Sequence, residues 1–233
     1  MDRIYNKIVS AGFVDKFKRG DNLVVHGVPG CGKTKLLKEI IEEFDFVVCF
    51  TAGSETYKSQ LGSEISKVSE DSIVPEGKIG ILDEYNIFTG NLQKFKVLIG
   101  DPYQSVNRSL NCNLLNLESK RFGKETCSLL SSLNFKVESR KADRVRIENI
   151  FPSEPVGQVI CLDSEVEDLC KSYLLDYLTP CEAQGRTFKE VTVLTSTQLC
   201  EVPRVPLYIA LTRHSDLLLI LTPYPSNAIG GTS

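Results

Sequence analysis

Residues 27–34 read Gly27-Val28-Pro29-Gly30-Cys31-Gly32-Lys33-Thr34, and all eight fit the pattern G-x-x-x-x-G-K-[ST]. The apolar run Leu23 to His26 precedes this stretch, and an amphipathic pattern from Lys33 to Glu43 follows it. A strand, a glycine-rich loop and a helix in this order are typical of a P-loop, where backbone N–H groups converge on phosphate oxygens. The eight residues are therefore predicted to bind ATP, with Lys33 at the β- and γ-phosphates and the Thr34 hydroxyl on Mg²⁺.

A second candidate element is the apolar run Ile79 to Leu82, which ends in the paired carboxylates of Asp83 and Glu84. A P-loop needs a further Mg²⁺ partner at the end of a neighbouring strand, and we assign that role to Asp83. Glu84 is predicted to orient and deprotonate the attacking water. An acidic pair after an apolar run is by itself only a strand end, so the prediction depends on the P-loop upstream.

The third element is the run Lys96 to Ile99, which closes on the turn Gly100-Asp101-Pro102-Tyr103-Gln104. An amide is no general base at neutral pH, but Gln104 can hydrogen-bond a γ-phosphate or the attacking water. We therefore predict that Gln104 reports whether the γ-phosphate is present.

Short β-branched or aromatic runs alternate with helical patterns along the chain, which predicts an α/β protein with parallel sheet. A second helix is predicted over Glu165 to Tyr177, where Val166, Leu169, Tyr173 and Leu174 recur at helical spacing. The charged stretch from Ser139 to Asn149 lacks apolar period, and the tail from Pro223 to Ser233 is predicted to be unstructured. The further predicted strands are Phe46 to Thr51, Val191 to Thr195 and Leu217 to Thr222.

Composition excludes several classes of protein. The 233 residues are 42% hydrophobic and 24% charged, which is ordinary for a globular chain and excludes disorder or collagen. The net charge of −3 excludes a surface that is basic all over, so any nucleic acid has to be held in a local groove. No apolar stretch approaches the roughly 20 residues of a membrane-spanning helix. The sequence contains no CxxC motif, so it gives no indication of a zinc site.

Taken in order, the P-loop, the Asp83-Glu84 pair and the turn ending at Gln104 resemble the first motifs of superfamily 1 helicases, in particular those of positive-strand RNA plant viruses. Three later segments resemble the fourth, fifth and sixth motifs: Leu117 to Phe122, Glu182 to Phe188 and Tyr208 to Arg213. The P-loop strand begins at Leu23, so we expect no polymerase or capping domain. A helicase core of this size resembles the movement proteins encoded first in the triple gene block of potexvirus-like and carlavirus-like plant viruses.

The resemblance implies two RecA-like P-loop domains with parallel sheets, an ATP cleft between them and RNA laid across both. In this family the fourth motif opens the second domain. We therefore expect the first domain at residues 1–112 and the second at residues 113–233. The charged stretch Ser139 to Asn149 then becomes an excursion within the second domain.

The resemblance also implies roles for residues of the second domain. Arg121 and Arg213 match arginines that reach the γ-phosphate, and Gln184 and Gly185 fall where the fifth motif links nucleotide to nucleic acid. Without the motifs, both arginines could be solvated charges at helix ends.

The function expected from this resemblance is an RNA-stimulated NTPase and RNA helicase in cell-to-cell movement of a viral RNA genome and in suppression of host RNA silencing. Its implied partners are single-stranded viral RNA, further copies of itself, capsid protein and the two small membrane proteins of the gene block. The implied location is the host cytoplasm, with plasmodesmata or membrane-associated inclusions reached through partners. An alternative is an RNA-binding, oligomerising protein with ATP as a conformational switch. A small-molecule P-loop kinase is disfavoured, because it leaves the motifs after residue 115 unexplained.

Overall fold

The chain divides into two compact units, each with its own β-sheet, Met1–Leu117 and Glu118–Ser233. The division falls after Leu117 and not after residue 112, because the strand Leu114–Asn116 pairs within the first sheet. The computed structural model describes residues 1–18, 20–53, 56–59, 62, 64–104 and 110–227.

In the first unit the described strands form one sheet in the order β1-β8-β2-β7-β6-β3-β5-β4. The strands are β1 (Val14–Asp15), β2 (Leu23–Gly27), β3 (Val47–Thr51), β4 (Tyr57–Lys58), β5 (Glu64–Lys67), β6 (Ile79–Asp83), β7 (Val97–Gly100) and β8 (Leu114–Asn116). All neighbours are parallel except the antiparallel edge pairs β1·β8 and β4·β5. The carboxyl ends of β2, β7, β6 and β3 therefore lie side by side at one edge of the sheet.

The helices of the first unit are α1 (Asp2–Ser10), α2 (Lys33–Glu43) and a short 3₁₀ helix at Tyr85–Ile87. The bounds predicted for α2 are confirmed, and its residues Leu36, Leu37, Ile40 and Ile41 are buried as a single apolar face. Every residue of β2 is buried, as expected for a central parallel strand covered on both faces.

The second unit carries a fully parallel sheet in the order β11-β10-β12-β13-β9. Its strands are β9 (Arg144–Asn149), β10 (Gln158–Cys161), β11 (Tyr177–Leu178), β12 (Phe188–Leu194) and β13 (His214–Thr222). Its helices are α3 (Lys124–Ser132), α4 (Ser164–Ser172), α5 (Pro180–Ala183), α6 (Arg204–Leu211) and a 3₁₀ turn at Pro225–Asn227. The predicted α/β class with parallel sheets is confirmed.

Three expectations for the second unit are wrong, the last being the unstructured tail from Pro223, within which Pro225–Asn227 forms a 3₁₀ turn. The first concerns the charged stretch Ser139 to Asn149, which contains the sheet strand β9 and is no excursion. Its pattern is that of an edge strand, in which the exposed Arg144 and Arg146 alternate with the half-buried Val145 and Ile147.

The second concerns the helix predicted over Glu165 to Tyr177. The observed helix, α4, ends at Ser172, five residues earlier than predicted. Leu174 has a φ of +54°, a left-handed conformation that stops the helix before the chain enters β11. Tyr173 and Leu174, predicted for the buried face, are exposed, while Val166 and Cys170 fill the core.

Three further observations concern the described part of the chain alone. No helix there is both long and apolar enough to cross a bilayer. All eight cysteines of the chain fall within it, and each is a free thiol. Of the tail predicted to be unstructured, residues 228–233 lie outside the described residues.

Candidate nucleotide site

The loop between β2 and α2 has the backbone that phosphate binding requires. Gly30 and Gly32 have φ values of +79° and +104°, left-handed conformations that glycine adopts without strain, and Gly32 directly precedes α2. A Cβ at Gly27 would lie 2.5 Å from Cys31 Sγ, so a larger residue there would have to displace the Cys31 side chain. Val28 N–H donates to Asn116 O of β8 at 3.1 Å, which ties the start of the loop to the sheet. The local backbone geometry therefore accounts for the presence of glycine at positions 27, 30 and 32.

Lys33 lies within this loop, in the first turn of α2. Its Nζ donates to Gly27 O at 2.7 Å and to Val28 O at 3.4 Å. Burial acts to lower the pKa of Lys33, but Cys31 and the nearby carboxylates of Asp101, Glu84 and Asp83 together raise it above its ordinary value. Lys33 is therefore a fixed positive charge at neutral pH, surrounded by the acidic ends of neighbouring strands.

Asp83 and Glu84 lie at the end of β6. In an unbroken strand two successive side chains point to opposite faces of the sheet. Here Glu84 has a φ of +51°, uncommon for a residue other than glycine, and the chain turns directly into the 3₁₀ helix. A Cβ at Gly53 would lie 3.2 Å from Glu84 Cγ, so this glycine after β3 makes room for the carboxylate side chain. Both carboxylates are near enough to Lys33 to raise the pKa of its ammonium group.

Gln104 lies in the turn after β7, where Asp101 organises the site. Asp101 is fully buried, its Oδ1 accepts from Tyr103 N–H at 3.0 Å, and its Oδ2 accepts from Gln104 Nε2 at 2.8 Å. The backbone N–H of Gln104 also donates to Asp101 O at 3.2 Å. The sequence predicted Gln104 but not Asp101 as a site residue, because Gly-Asp-Pro is a generic turn. A buried carboxylate that orients the amide is visible only in three dimensions.

His26 is a second residue that the sequence did not single out. It is buried in β2, and its Nε2 lies 2.7 Å from Tyr85 Oη at the start of the 3₁₀ helix. Burial and, secondly, the charge of Lys33 lower the pKa of His26 to about 4. The imidazole is therefore neutral and links the P-loop strand to the turn that carries Glu84.

In the second unit, Arg121 and Arg213 lie together. Arg121 Nη1 donates to Thr212 O at 3.2 Å, and Arg213 Nη2 donates to Thr212 Oγ1 at 2.8 Å. Arg213 is 1% exposed, and its Nε donates to Ile209 O at 2.9 Å. A buried guanidinium held by several hydrogen bonds is not a solvated charge at a helix end.

Gln184 and Gly185 form the turn that follows α5, separate in sequence from the arginine pair. Gly185 has a φ of +82°, which glycine tolerates and which turns the chain toward β12. The short helix before it is fixed by a capping box between Thr179 and Glu182. Thus Lys33, Asp83 and Glu84 lie near one another in the first unit. In the second unit Gly185 lies three residues before Phe188, whose N–H donates to Arg213 O at 2.8 Å, so the turn at Gln184 and Gly185 is close in the chain to a partner of Arg213.

The residues present in the first unit fit a nucleotide and Mg²⁺. The left-handed glycines and the start of α2 make a concave array of backbone N–H groups, and Lys33 adds a fixed positive charge. Mg²⁺ bound with a nucleotide takes one or two protein oxygens and completes its shell with water and phosphate. The hydroxyl of Thr34, in the first turn of α2, and the carboxylate of Asp83 are oxygen donors of that kind.

Comparison with known proteins gives the family and the fold. The family of viral superfamily 1 RNA helicase core domains matches residues 23–222. Arterivirus nonstructural protein 10, a helicase, has a similar fold, with a TM-score of 0.65 at 21% identity over 87% of this chain and 60% of its own. Its complex with DNA gives a TM-score of 0.65 at 20% identity. The chain thus spans about 60% of the length of that helicase. These structures bear on the fold alone.

Two plant-virus proteins are similar over nearly their whole length. Movement and silencing protein TGBp1 of Papaya mosaic potexvirus is 37% identical over 227 residues, 96% of each chain. The TGBp1 of Poplar mosaic virus (isolate ATCC Pv275) is 32% identical over 225 residues, 96% of this chain and 97% of its own. The chain therefore belongs to the viral superfamily 1 helicases and, within them, to the TGBp1 family.

Proposed function

We propose that this protein is an ATP-dependent, RNA-stimulated NTPase and RNA helicase that acts in the movement of a plant-virus RNA genome and in suppression of host RNA silencing. The observation that carries the enzymatic part is the position of Lys33 among the carboxylates of Asp83, Glu84 and Asp101, at the carboxyl ends of adjacent parallel strands. The printed names of the TGBp1 relatives support the movement and silencing part.

Hydrolysis needs the phosphates positioned, their charge neutralised and a water oriented, because phosphoryl transfer asks little covalent chemistry of the protein. The loop N–H groups and Lys33 hold the β- and γ-phosphates. Thr34 and Asp83 hold Mg²⁺, which when bound adds positive charge at the phosphate oxygens. Glu84 accepts the proton of the attacking water. Gln104, fixed by Asp101 at 2.8 Å, contacts that water or the γ-phosphate.

We further propose that both units are RecA-like domains and that the second unit supplies Arg121 and Arg213 to the γ-phosphate. Arginine suits this task because its planar fork can donate two hydrogen bonds to phosphate oxygens. Gln184 and Gly185 then connect the nucleotide state to bound RNA. Support comes from the placement of both guanidinium groups on Thr212.

The proposed partners are single-stranded viral RNA, other copies of the chain, capsid protein and the two small membrane proteins of the triple gene block. The proposed location is the host cytoplasm, with plasmodesmata or membrane-associated inclusions reached through those partners. The fold shared with an arterivirus helicase that was solved with DNA supports nucleic-acid binding.

Hydrolysis of ATP by purified Lys33→Ala protein tests the assignment. The matched control is Lys35→Ala, because Lys35 is exposed on the same helix and its Nζ lies 3.8 Å from Glu39 Oε1. We expect Lys33→Ala to fold and to lose hydrolysis, while Lys35→Ala keeps both. Undiminished hydrolysis in folded Lys33→Ala protein would overturn the assignment of the P-loop.

A further inference from the structure

A buried carboxylate in the second unit contacts the segments that follow both arginines but belongs to none of the helicase motifs. Asp143 is 7% exposed, and its Oδ2 accepts from Gly123 N–H at 2.7 Å while Oδ1 accepts from Glu125 N–H at 2.9 Å. These N–H groups are at the start of α3, so Asp143 caps this helix from a distant part of the chain. Burial acts to raise the pKa of Asp143, but hydrogen bonds from His214, Thr126 and the two N–H groups lower it to about 2. The carboxylate is therefore ionised at neutral pH.

His214 connects the Asp143 carboxylate to the segment that carries Arg213. It is fully buried, it is the first residue of β13, and it directly follows Arg213. Its Nε2 lies 2.9 Å from Thr126 Oγ1 and 3.4 Å from Asp143 Oδ2. The chain at Arg213 is also fixed on its other side, because Phe188 N–H donates to Arg213 O at 2.8 Å.

The segment that carries Arg121 rests on the same cluster. A Cβ at Gly123 would lie 2.6 Å from Asp143 Oδ1, so the chain two residues after Arg121 passes directly against this carboxylate. The Phe122 ring is fully buried, with its centroid 5.9 Å from that of the His214 ring. Asp143 therefore contacts Gly123, two residues after Arg121, and it also contacts His214, which directly follows Arg213. The His214 ring in turn lies against Phe122.

We propose that Asp143 and His214 are positioning residues, which hold Arg121 and Arg213 in fixed register so that both guanidinium groups can meet one phosphate. This inference rests on the proposed role of the arginines in hydrolysis. Misplacement of a reacting group by about 1 Å can cost roughly 100-fold in rate. Loss of the link should therefore lower turnover with little effect on nucleotide affinity.

A plain helix cap is the competing explanation, and the chain supplies its own comparison. Asp163 is the N-cap residue of α4: its Oδ1 accepts from Val166 N–H at 3.2 Å, and its Oδ2 accepts from the distant Ser196 N–H at 2.9 Å. This second cap has the same chemistry but no contact with either arginine segment in the hydrogen bonds described above. Asp163→Asn is thus a matched control for Asp143→Asn.

The experiment measures kcat and KM for ATP in five proteins: wild type, the three single variants Asp143→Asn, Asp163→Asn and Arg121→Lys, and the double variant Asp143→Asn/Arg121→Lys. We expect Asp143→Asn to lower kcat roughly 10- to 100-fold with KM within about twofold of wild type. Asp163→Asn should lower the melting temperature with kcat unchanged. When Arg121 is already Lys, adding Asp143→Asn should lower kcat less than about threefold, because the guanidinium group that Asp143 positions is no longer there.

Equal losses from Asp143→Asn in both backgrounds, or a kcat like that of Asp163→Asn, would overturn the positioning role. If Arg121→Lys itself hydrolyses ATP like wild type, the proposed role of the arginine is wrong and the inference falls with it. A loss in Arg121→Lys without a loss in Asp143→Asn overturns the inference alone.

A second pair of variants covers the case in which Asp143→Asn does not fold. The amide of His214→Gln can take the place of imidazole Nε2 beside Thr126, whereas His214→Leu removes the polar contact. We expect His214→Gln to retain most of the turnover and His214→Leu to lose roughly tenfold or more in kcat. Equal kcat in the two variants would contradict the positioning role.

Discussion

Arg121 and Arg213 share one hydrogen-bonding partner: the first donates to Thr212 O at 3.2 Å and the second to Thr212 Oγ1 at 2.8 Å. Two positively charged side chains from segments about ninety residues apart therefore bind the same residue. Like charges repel, so their pairing on one threonine has to be stabilised by the surrounding structure. A site that receives a multiply charged phosphate is a physical reason for such an arrangement.

The first prediction concerns these arginines. An arginine supplied to a transferring phosphoryl group accounts for roughly 10³ to 10⁵ in rate in other NTPases. We expect Arg121→Ala to reduce turnover by a factor in that range and to leave ADP affinity nearly unchanged, because ADP lacks the γ-phosphate. Titration of ADP and of a non-hydrolysable ATP analogue beside steady-state turnover measures this difference.

Arg213 needs a milder change, because it is buried and Arg213→Ala would leave a cavity as well as remove a charge. Arg213→Lys keeps the charge but not the bidentate fork, so we expect partial turnover at unchanged ADP affinity. If turnover in both Arg121→Ala and Arg213→Lys stays near that of wild type, the second unit does not contribute to hydrolysis.

The second prediction separates the paired carboxylates at the end of β6. Glu84→Gln should bind MgATP and lose turnover, because the amide keeps the shape but cannot accept a proton. Asp83→Asn should in addition raise the Mg²⁺ concentration needed for half-maximal activity. The exposed Glu76 provides the control Glu76→Gln, which should change neither property. Normal hydrolysis in both site variants would make the pair an ordinary strand end.

The third prediction is a pH dependence of stability that comes from His26. Its pKa is lowered from 6.5 to about 4, so between these values the unfolded chain binds a proton that the folded chain does not. The stabilisation is fully present above pH 6.5 and is lost as the pH falls toward 4, by roughly 3 kcal/mol in the free energy of unfolding. Chemical denaturation at pH 7, 5.5 and 4 measures it. In His26→Gln this loss of stability should be absent. If wild type and His26→Gln show the same dependence of stability on pH, the loss does not come from His26.

The fourth prediction concerns RNA. A chain with a net charge of −3 can bind single strands only through a local groove, where phosphate contacts and base stacking dominate. The affinity for a fluorescent single-stranded oligonucleotide should fall steeply with salt and differ little between sequences. Titrations at two ionic strengths with two sequences test this expectation, and salt-independent affinity would contradict it.

Sequence reasoning succeeded where one local rule decides the structure. The bounds of α2 follow from the glycines before it and from its apolar spacing, and both properties are local. The strand β6 is likewise a short apolar run closed by carboxylates. At these positions local preference and tertiary packing agree, so the pattern can be interpreted without the fold.

The failures have a different cause, because they depend on partners distant in sequence. Nothing near Asp143 indicates that it caps a helix twenty residues earlier. Likewise β9 was missed because an edge strand needs only a weak apolar face once β13 supplies its hydrogen bonds. Leu174 ended α4 although its side chain fits the helical pattern, since the next strand required a turn there.

The central claim is that nucleotide hydrolysis in the first unit is coupled to RNA. Its most direct test is the steady-state rate of ATP hydrolysis by the purified wild-type protein, with and without saturating single-stranded RNA, with Glu84→Gln as the baseline. We expect measurable hydrolysis without RNA, a several-fold higher kcat with RNA, and neither in Glu84→Gln. A protein that binds both ATP and RNA but hydrolyses at one rate, with RNA or without, would contradict the account and favour a nucleotide-dependent switch.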